Sequence, residues 1–539
     1  MAAAEYRRIV IVKTNLMLLC WRIMGSKGCL ERLYLLKFYL DAVLTSSIRS
    51  INEGKSSSMA KFQFAHLMTV CSALLYIPSP QPKSFTQYEQ PHFRFCSLGF
   101  RDQHRQTETP PSSRLFTTHN HPQRNAPNEI DFKTQAQAAA IGLLVGVAVI
   151  CFKASISLVQ TTLYASSSIP IFAVPIIGGV AVSALSQFFN NGEQFNSTIN
   201  FAGSPNHKQI LAKIFGAIAT LGTTNSLGPE GPVVELGASI SQLFCKEVNA
   251  KDSYLLLSAG AAAGISAGFN SPLAGCFFAI EIINNKPNSP NIATSRGLTV
   301  ILIASIIATL VTQIGLKESL TLELLTGVDV LQNANVLFEL PLYCGLGILS
   351  GIVSHAFNKL VSVLKISGFD KIPTRARPIV GATVVALISS FFPQVLFFGY
   401  STLNSLIATG NSLNPSLLLE ILVAKIFATA TCVSCGLVGG MFAPAIFIGS
   451  ILGTLFHSGL VTVFTSNDVG ADVGADQGYY VYSGAAAVLA SLFQAPLTAT
   501  ILLFELTKEY EFILPTLASS SVASITSTLL LSKEKEREY

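Results

Sequence analysis

From Phe132 onward the chain is a succession of apolar windows separated by short polar, Gly- or Pro-bearing breaks. The windows are Ala138–Leu158, Ile169–Phe188, Ile210–Ser226, Leu255–Phe278, Leu298–Val311 and Val336–Leu364, then Ile379–Phe397, Leu417–Leu437, Phe442–Val463, Val481–Leu503 and Phe512–Leu531. Their length and lack of charge predict helices. Several fall short of the ~20 residues that a perpendicular membrane crossing needs, and many are interrupted by Gly or Pro. Such breaks are tolerated at membrane depth only where they are buried in protein or line a water-filled cavity. The pattern therefore predicts an all-α polytopic membrane protein built as a bundle of tilted, broken helices. Charge agrees: between Gln135 and Pro205 the only charged residues are Lys153 and Glu193, and a charge at the bilayer centre costs at least ~2.5–3.5 kcal/mol.

The first 131 residues read differently. Between Met59 and Asn128 the chain is rich in Ser, Thr, Gln, His, Pro and Arg and very poor in acids. That composition is that of an organelle transit peptide, a plastid one in particular. The apolar patch Ile9–Cys20 is too short to span a membrane. The expected organisation is a targeting or disordered segment over 1–131, a membrane domain over 132–532 and a charged tail over 533–539, with a chloroplast membrane, thylakoid or envelope, as the location.

Composition narrows the function. Half of the residues are hydrophobic and 12% charged, about half the charged share of a soluble protein; mean hydropathy is +0.51. The net charge of +5 comes without a basic stripe interleaved with aromatics, so nucleic acid is not an expected partner. The ten cysteines are scattered. Cys432 and Cys435 form a CxxC with no second pair, so no metal site is expected. No HExxH, GxSxG or intramembrane Asp/His pair is present, which argues against an enzyme.

The chain also contains itself twice. GAAAGISAGFNSPLAGCFFAIEI begins at Gly260 and GAAAVLASLFQAPLTATILLFEL at Gly484. At that offset of 224, Phe269, Pro272, Leu273 and Glu281 match Phe493, Pro496, Leu497 and Glu505. Upstream, GPEGPVVELG from Gly228 matches GMFAPAIFIG from Gly440 at an offset of 212. Repeated halves with Gly/Pro-interrupted segments at corresponding positions place a transport site between the halves. The matched Glu281 and Glu505 suit a structural or interfacial role.

The chemistry of the upstream pair is specific. Gly228, Pro229, Glu230, Gly231 and Pro232 lead into the apolar run Val233–Phe244, and Gly440, Met441, Phe442, Ala443 and Pro444 lead into another. Proline suits a first helical turn, where its missing N–H has no partner to lose. Glycine lets an ion approach the backbone. A helix N-terminus then offers amides and a positive dipole end to an anion, and two converging termini would hold a dehydrated anion loosely enough to release it. Glu230 lies where it can occupy that place as a tethered anion, leaving when protonated or displaced. Complementing the dipole is the plainer role for it, but an ionisable residue inside a membrane is by default a functional one. Glu235, inside the same run, suits pore lining and a structural role equally.

These motifs, GPEGP, GGMFAP and GAAAG…FNSPLAG…IEI, resemble the signatures of the CLC chloride channel and antiporter family, over roughly Thr134–Leu531, with a character close to plant organellar members. The resemblance implies a CLC-type inverted repeat and voltage-gated transport of chloride, and of nitrate with it, with no cofactor beyond the transported ion. Glu230 would be the gate, and the amides of Met441 and Phe442 would touch the central anion. Lys213 matches a lysine near the permeation path. The expected partners are small inorganic anions, membrane lipid and a second copy in a homodimer.

Departures from the family pattern shape the expectation further. Proton-coupled members carry a second glutamate where this chain has Ile282, which cannot hold a proton. This favours a passive or weakly coupled channel over an anion/proton antiporter of the same family. The GxGIP element expected near Phe188–Asn200 is missing from FFNNGEQFNSTIN. No Tyr is in register to cap the central anion, no CBS pair follows the membrane domain, and Pro229 replaces a common Arg. A non-conducting, degenerate subunit is the third reading.

Overall fold

The computed structural model describes residues 132–165, 170–190, 207–284, 291–316, 336–369, 371–399, 414–466 and 477–538. The expected targeting segment and the stretch in place of GxGIP, from residue 191 on, lie outside the described residues. Among those described there are fourteen α-helices and no named strand. The first seven are α1 (Phe132–Ala165), α2 (Val174–Asn190), α3 (His207–Gly222), α4 (Glu230–Ser241), α5 (Ala250–Phe269), α6 (Pro272–Phe278) and α7 (Ser295–Leu316). The second seven are α8 (Val336–Val363), α9 (Arg377–Phe391), α10 (Pro415–Ser434), α11 (Phe442–Ser466), α12 (Gln477–Phe493), α13 (Pro496–Thr507) and α14 (Ile513–Glu538). Among the described residues, seven helical segments are long and apolar enough, by length and composition, to cross a membrane, and four more are apolar but shorter.

Packing follows the repeat. α4 lies on α5, α1 on α7, and α5 on both α1 and α7; the same set recurs as α11 on α12, α8 on α14, and α12 on both α8 and α14. Small residues permit it: a Cβ on Gly237 or Gly260 would collide with the backbone of the other, and a Cβ on Gly449 or Gly484 would do the same at the matching crossing. Close approach of this kind replaces the hydrophobic driving force that is missing in lipid. Interior hydroxyls bond back to the preceding turn, as Thr220 to the Gly216 carbonyl (2.9 Å), Ser266 to that of Ala262 (2.8 Å) and Thr454 to that of Ser450 (2.9 Å). Leu158, Leu387 and Phe391 meanwhile face outward, as a lipid-facing surface requires.

The windows Leu255–Phe278 and Val481–Leu503, continuous in the hydropathy pattern, are each two helices. Asn270 (φ 60°) and Gln494 (φ 55°) turn left-handed. The amides of Ser271 and Ala495 then bond the carbonyls of Ser266 and Ala490, both at 3.1 Å, closing each helix end. Pro272 and Pro496 start α6 and α13, where the lost N–H has no consequence.

The next amides of α6 and α13 need acceptors, and each repeat supplies them to the other. Glu505 of α13 accepts from the Leu273 and Ala274 amides of α6 (3.0 and 2.8 Å). Glu281 accepts from the Leu497 and Thr498 amides of α13 (3.0 and 2.6 Å), and from the Thr498 hydroxyl (2.6 Å). Both glutamates therefore fasten one half to the other. Glu281→Ala is expected to lower stability by about 2 kcal/mol, the scale of hydrogen bonds to a charged group, seen as a lower midpoint of thermal unfolding in detergent. An unchanged midpoint would mean the clasp carries no stability. The symmetry is not complete: Glu281 lies in a π-helical turn, Ala279–Ile283, whereas Glu505 lies in regular α-helix. At the chain's end, Glu534 continues α14 and meets Lys359 (3.0 Å) and His355 (3.6 Å) of α8.

Candidate functional site

The site grows from two matched turns. After α3 the chain becomes left-handed at Thr224 (φ 62°), and 212 residues later, after α10, at Gly436 (φ 78°). The amides of Asn225 and Leu437 bond the carbonyls of Thr220 and Cys432 (3.2 and 3.1 Å). Glycine suits this conformation, whereas a β-branched Thr adopts it only under constraint. Two bonds supply that constraint: Tyr164 donates to the Thr224 hydroxyl (3.1 Å), and the Phe397 amide donates to the Thr224 carbonyl (3.1 Å). Four residues beyond each turn the loops meet. Gly228 and Gly440 exchange both backbone bonds, at 2.8 and 2.6 Å, as an antiparallel bridge. Matched residues that bond each other reciprocally lie on a two-fold axis relating the two halves, as an inverted repeat requires.

Two helix N-termini therefore start beside one point. α4 begins at Glu230 and α11 at Phe442. The Val233 amide bonds the Pro229 carbonyl (3.1 Å) and the Ala445 amide that of Met441 (2.9 Å). The amides of Gly231, Phe442 and Ala443 come before those rungs of the helix ladders, and Pro232 and Pro444 have none to offer. The α4 run starts three residues earlier than its hydropathy suggests, which puts Glu230 itself in the first turn. Glu230 is 2% exposed. Its carboxylate folds back onto the meeting point: Oε2 fills the space a Gly228 side chain would need and lies 3.3 Å from where a Gly440 Cβ would stand. The Phe442 ring is seated among those of Phe493 (4.1 Å), Phe278 (6.0 Å) and Phe269 (6.1 Å), at the helix breaks.

The residues singled out in the sequence divide accordingly. Gly228, Pro229, Glu230, Gly231 and Pro232 come together with Gly440, Met441, Phe442, Ala443 and Pro444. Lys213 instead pairs with Glu235 (2.5 Å) in a small pocket with Ile210, Ile214, Ser239 and, from the motif, Pro232. Ile282 packs against the apolar core from its π-turn. Sequence reasoning passed over Lys425. It is fully buried in α10, donating to the carbonyls of Val395 (2.9 Å) and Phe397 (3.0 Å), with Nζ 5.0 Å from the centre of the Phe447 ring. The signal was available: Ala-Lys-Ile-Phe occurs at 212–215 and again at 424–427, at the 212 offset of the loop motifs.

Comparison with known proteins points one way. Residues 193–528 match the family model described as voltage gated chloride channel. The chain is 34% identical to the chloride channel protein CLC-e of Arabidopsis thaliana over 72% of its own length, and spans 59% of that relative. It is 31% identical to the H(+)/Cl(−) exchange transporter ClcA of Cronobacter sakazakii, over 60% of this chain and 67% of that one. A crystal structure of a slow cyanobacterial Cl−/H+ antiporter has the same fold, with a TM-score of 0.63 at 24% identity, covering 75% of this chain and 96% of that one.

Proposed function

The chain belongs to the voltage-gated chloride channel (CLC) family, and from that premise we propose that it conducts small inorganic anions, chloride and nitrate, across an organelle membrane as a passive or weakly coupled channel. One observation carries the reading. Two helix N-termini related by an inverted repeat converge at the Gly228–Gly440 bridge, with the Glu230 carboxylate folded onto that point. In the mechanism, the amides at the starts of α4 and α11 hold the anion through partial charges, without a covalent or metal partner. Gly228, Gly231 and Gly440 keep the backbone bare. Pro229, Pro232, Met441, Ala443 and Pro444 shape the two first turns, and Phe442 offers its amide while its ring is locked. Ionised Glu230 occupies the anion's place; protonated or displaced, it leaves, and voltage acts on that exchange. Lys213 lines the flank of the path.

Ile282 supports channel over antiporter, because no proton can be held there. The exchanger reading draws its support from the exchange transporter among the relatives. The acid-poor composition of residues 59–128 supports a chloroplast membrane, and a homodimer is the assembly proposed. Leu273 and Leu497, each 43% exposed at matched positions, are apolar surface available to a second copy.

Reconstitution in liposomes, with chloride, nitrate and proton movement followed together, tests this function. Anion efflux without stoichiometric proton flux is the expected result. Fixed coupling would establish the antiporter instead, and no efflux of any anion would put the non-conducting subunit first.

A further inference from the structure

The inverted repeat places two lysines at equivalent positions with different electrical surroundings. Lys213 and Lys425 are 212 residues apart, and so are Glu235 and Phe447. In the first half the lysine meets a carboxylate, Glu235, at 2.5 Å. In the second half the same place holds the Phe447 ring, 5.0 Å from Nζ. The first lysine has a carboxylate opposite it; the second has an aromatic ring in that place.

Hydrogen bonding suits the charged form of Lys425. An ammonium has three donors, and three acceptors face it: the Val395 carbonyl, the Phe397 carbonyl and the aromatic face of Phe447. A neutral amine would present a lone pair with no donor opposite. No carboxylate pairs with Lys425 among the described residues, and it is 0% exposed. A buried charge without a counter-charge is strongly disfavoured, and a negative charge held nearby is what would keep Lys425 in its charged form.

The position says which. Thr429, one turn along α10 on the same face, bonds Ser226 (3.0 Å), two residues before Gly228. Phe397, whose carbonyl binds Lys425, donates its amide to Thr224 in that same loop. Phe447 lies five residues into α11 from Phe442. The ammonium therefore stands directly behind both loops that converge on the candidate anion site. We propose that Lys425 is the fixed positive charge of the anion pathway, balanced in turn by the Glu230 carboxylate and by the transported anion, while Glu235 neutralises the equivalent charge on Lys213. This rests on the anion-pathway reading above and adds to it the residue that sets anion affinity. By Coulomb's law a unit charge held about 10 Å from any anion, at an effective dielectric of about 20, alters its binding constant roughly tenfold, which sets the scale of effect to look for.

The test measures chloride binding by calorimetry and chloride efflux from liposomes, on the full chain and three variants, each first checked for a single monodisperse peak on size exclusion. Lys425→Gln keeps two N–H donors for the carbonyls and removes the charge; its chloride Kd should rise roughly tenfold. Lys425→Arg keeps the charge and should return Kd close to the original. Phe447→Glu gives Lys425 the carboxylate that Lys213 already has, and should weaken chloride binding as the Gln variant does. Wild-type affinity in the Gln variant, or equal losses in the Gln and Arg variants, would reduce Lys425 to a packing role and overturn the proposal. Should the Gln variant not fold, Phe447→Glu decides: unchanged affinity there overturns it as well. If the unmodified protein neither binds nor releases chloride, the anion-pathway reading itself fails. If it does both, with efflux altered by a Glu230 substitution, and the Gln variant matches it, only the assignment of Lys425 fails.

Discussion

Replacing Glu230 by Ala is expected to raise chloride efflux and to make it indifferent to the pH on either side. The carboxylate is buried at 2% exposure and folds onto the point where α4 and α11 begin, so under the proposed function ionised Glu230 and the anion would compete for one place. An apparent affinity is reduced by the fraction of molecules that are competent to bind. If the side chain holds the place in nine molecules of ten, its removal strengthens apparent chloride binding roughly tenfold. Glu230→Gln should act in the same direction, because it has the shape of the protonated acid. Efflux and its pH dependence in liposomes provide the measurement. Wild-type behaviour in both variants would reduce Glu230 to complementing the dipole of α4 and would remove the gate from the proposed mechanism.

Gly440→Ala should abolish most transport. A Cβ there would stand 2.5 Å from the Gly231 nitrogen, and 3.3 Å from both the Gly228 carbonyl oxygen and the Glu230 carboxylate. Backbone on both sides cannot swing away as a long side chain can, so the loops must part and the Gly228–Gly440 bonds at 2.8 and 2.6 Å must lengthen or break. Each buried backbone group left without a partner costs about 1–3 kcal/mol. The expected outcome is a protein several kcal/mol less stable by this scale, with the two helix N-termini no longer aimed at one point. Gly459→Ala is the matched control: nothing lies within 4 Å of the added carbon, and Ala is favoured over Gly in a helix interior by about 1 kcal/mol. Efflux and the midpoint of thermal unfolding should therefore fall in the first variant and hold or rise in the second. Full transport by Gly440→Ala would show that the close contact is not needed for conduction.

The sequence determined more of this protein than its fold class. Hydropathy windows located the helices, because sustained apolar runs with few charges have few other solutions. The two GAAA blocks and the two loop motifs revealed the repeat, and the Gly and Pro positions marked where the backbone had to break. Glu281 and Glu505 stood out as matched residues with a structural part to play, which their reciprocal bonds to α13 and α6 bear out. What the chain order could not express is partnership across the repeat. Hydropathy is a local property, so it merged α5 with α6 and α12 with α13 even though Asn270 and Gln494 turn left-handed between them. The inverted packing alone decided that Gly228 meets Gly440, that Thr224 is held by Tyr164 and Phe397, and that each glutamate serves the other half. It also decided the electrostatics. Two identical Ala-Lys-Ile-Phe segments read alike, yet one lysine folds against Glu235 and the other against Phe447, because the charge balance of a buried group depends on the residue that a neighbouring helix brings to it.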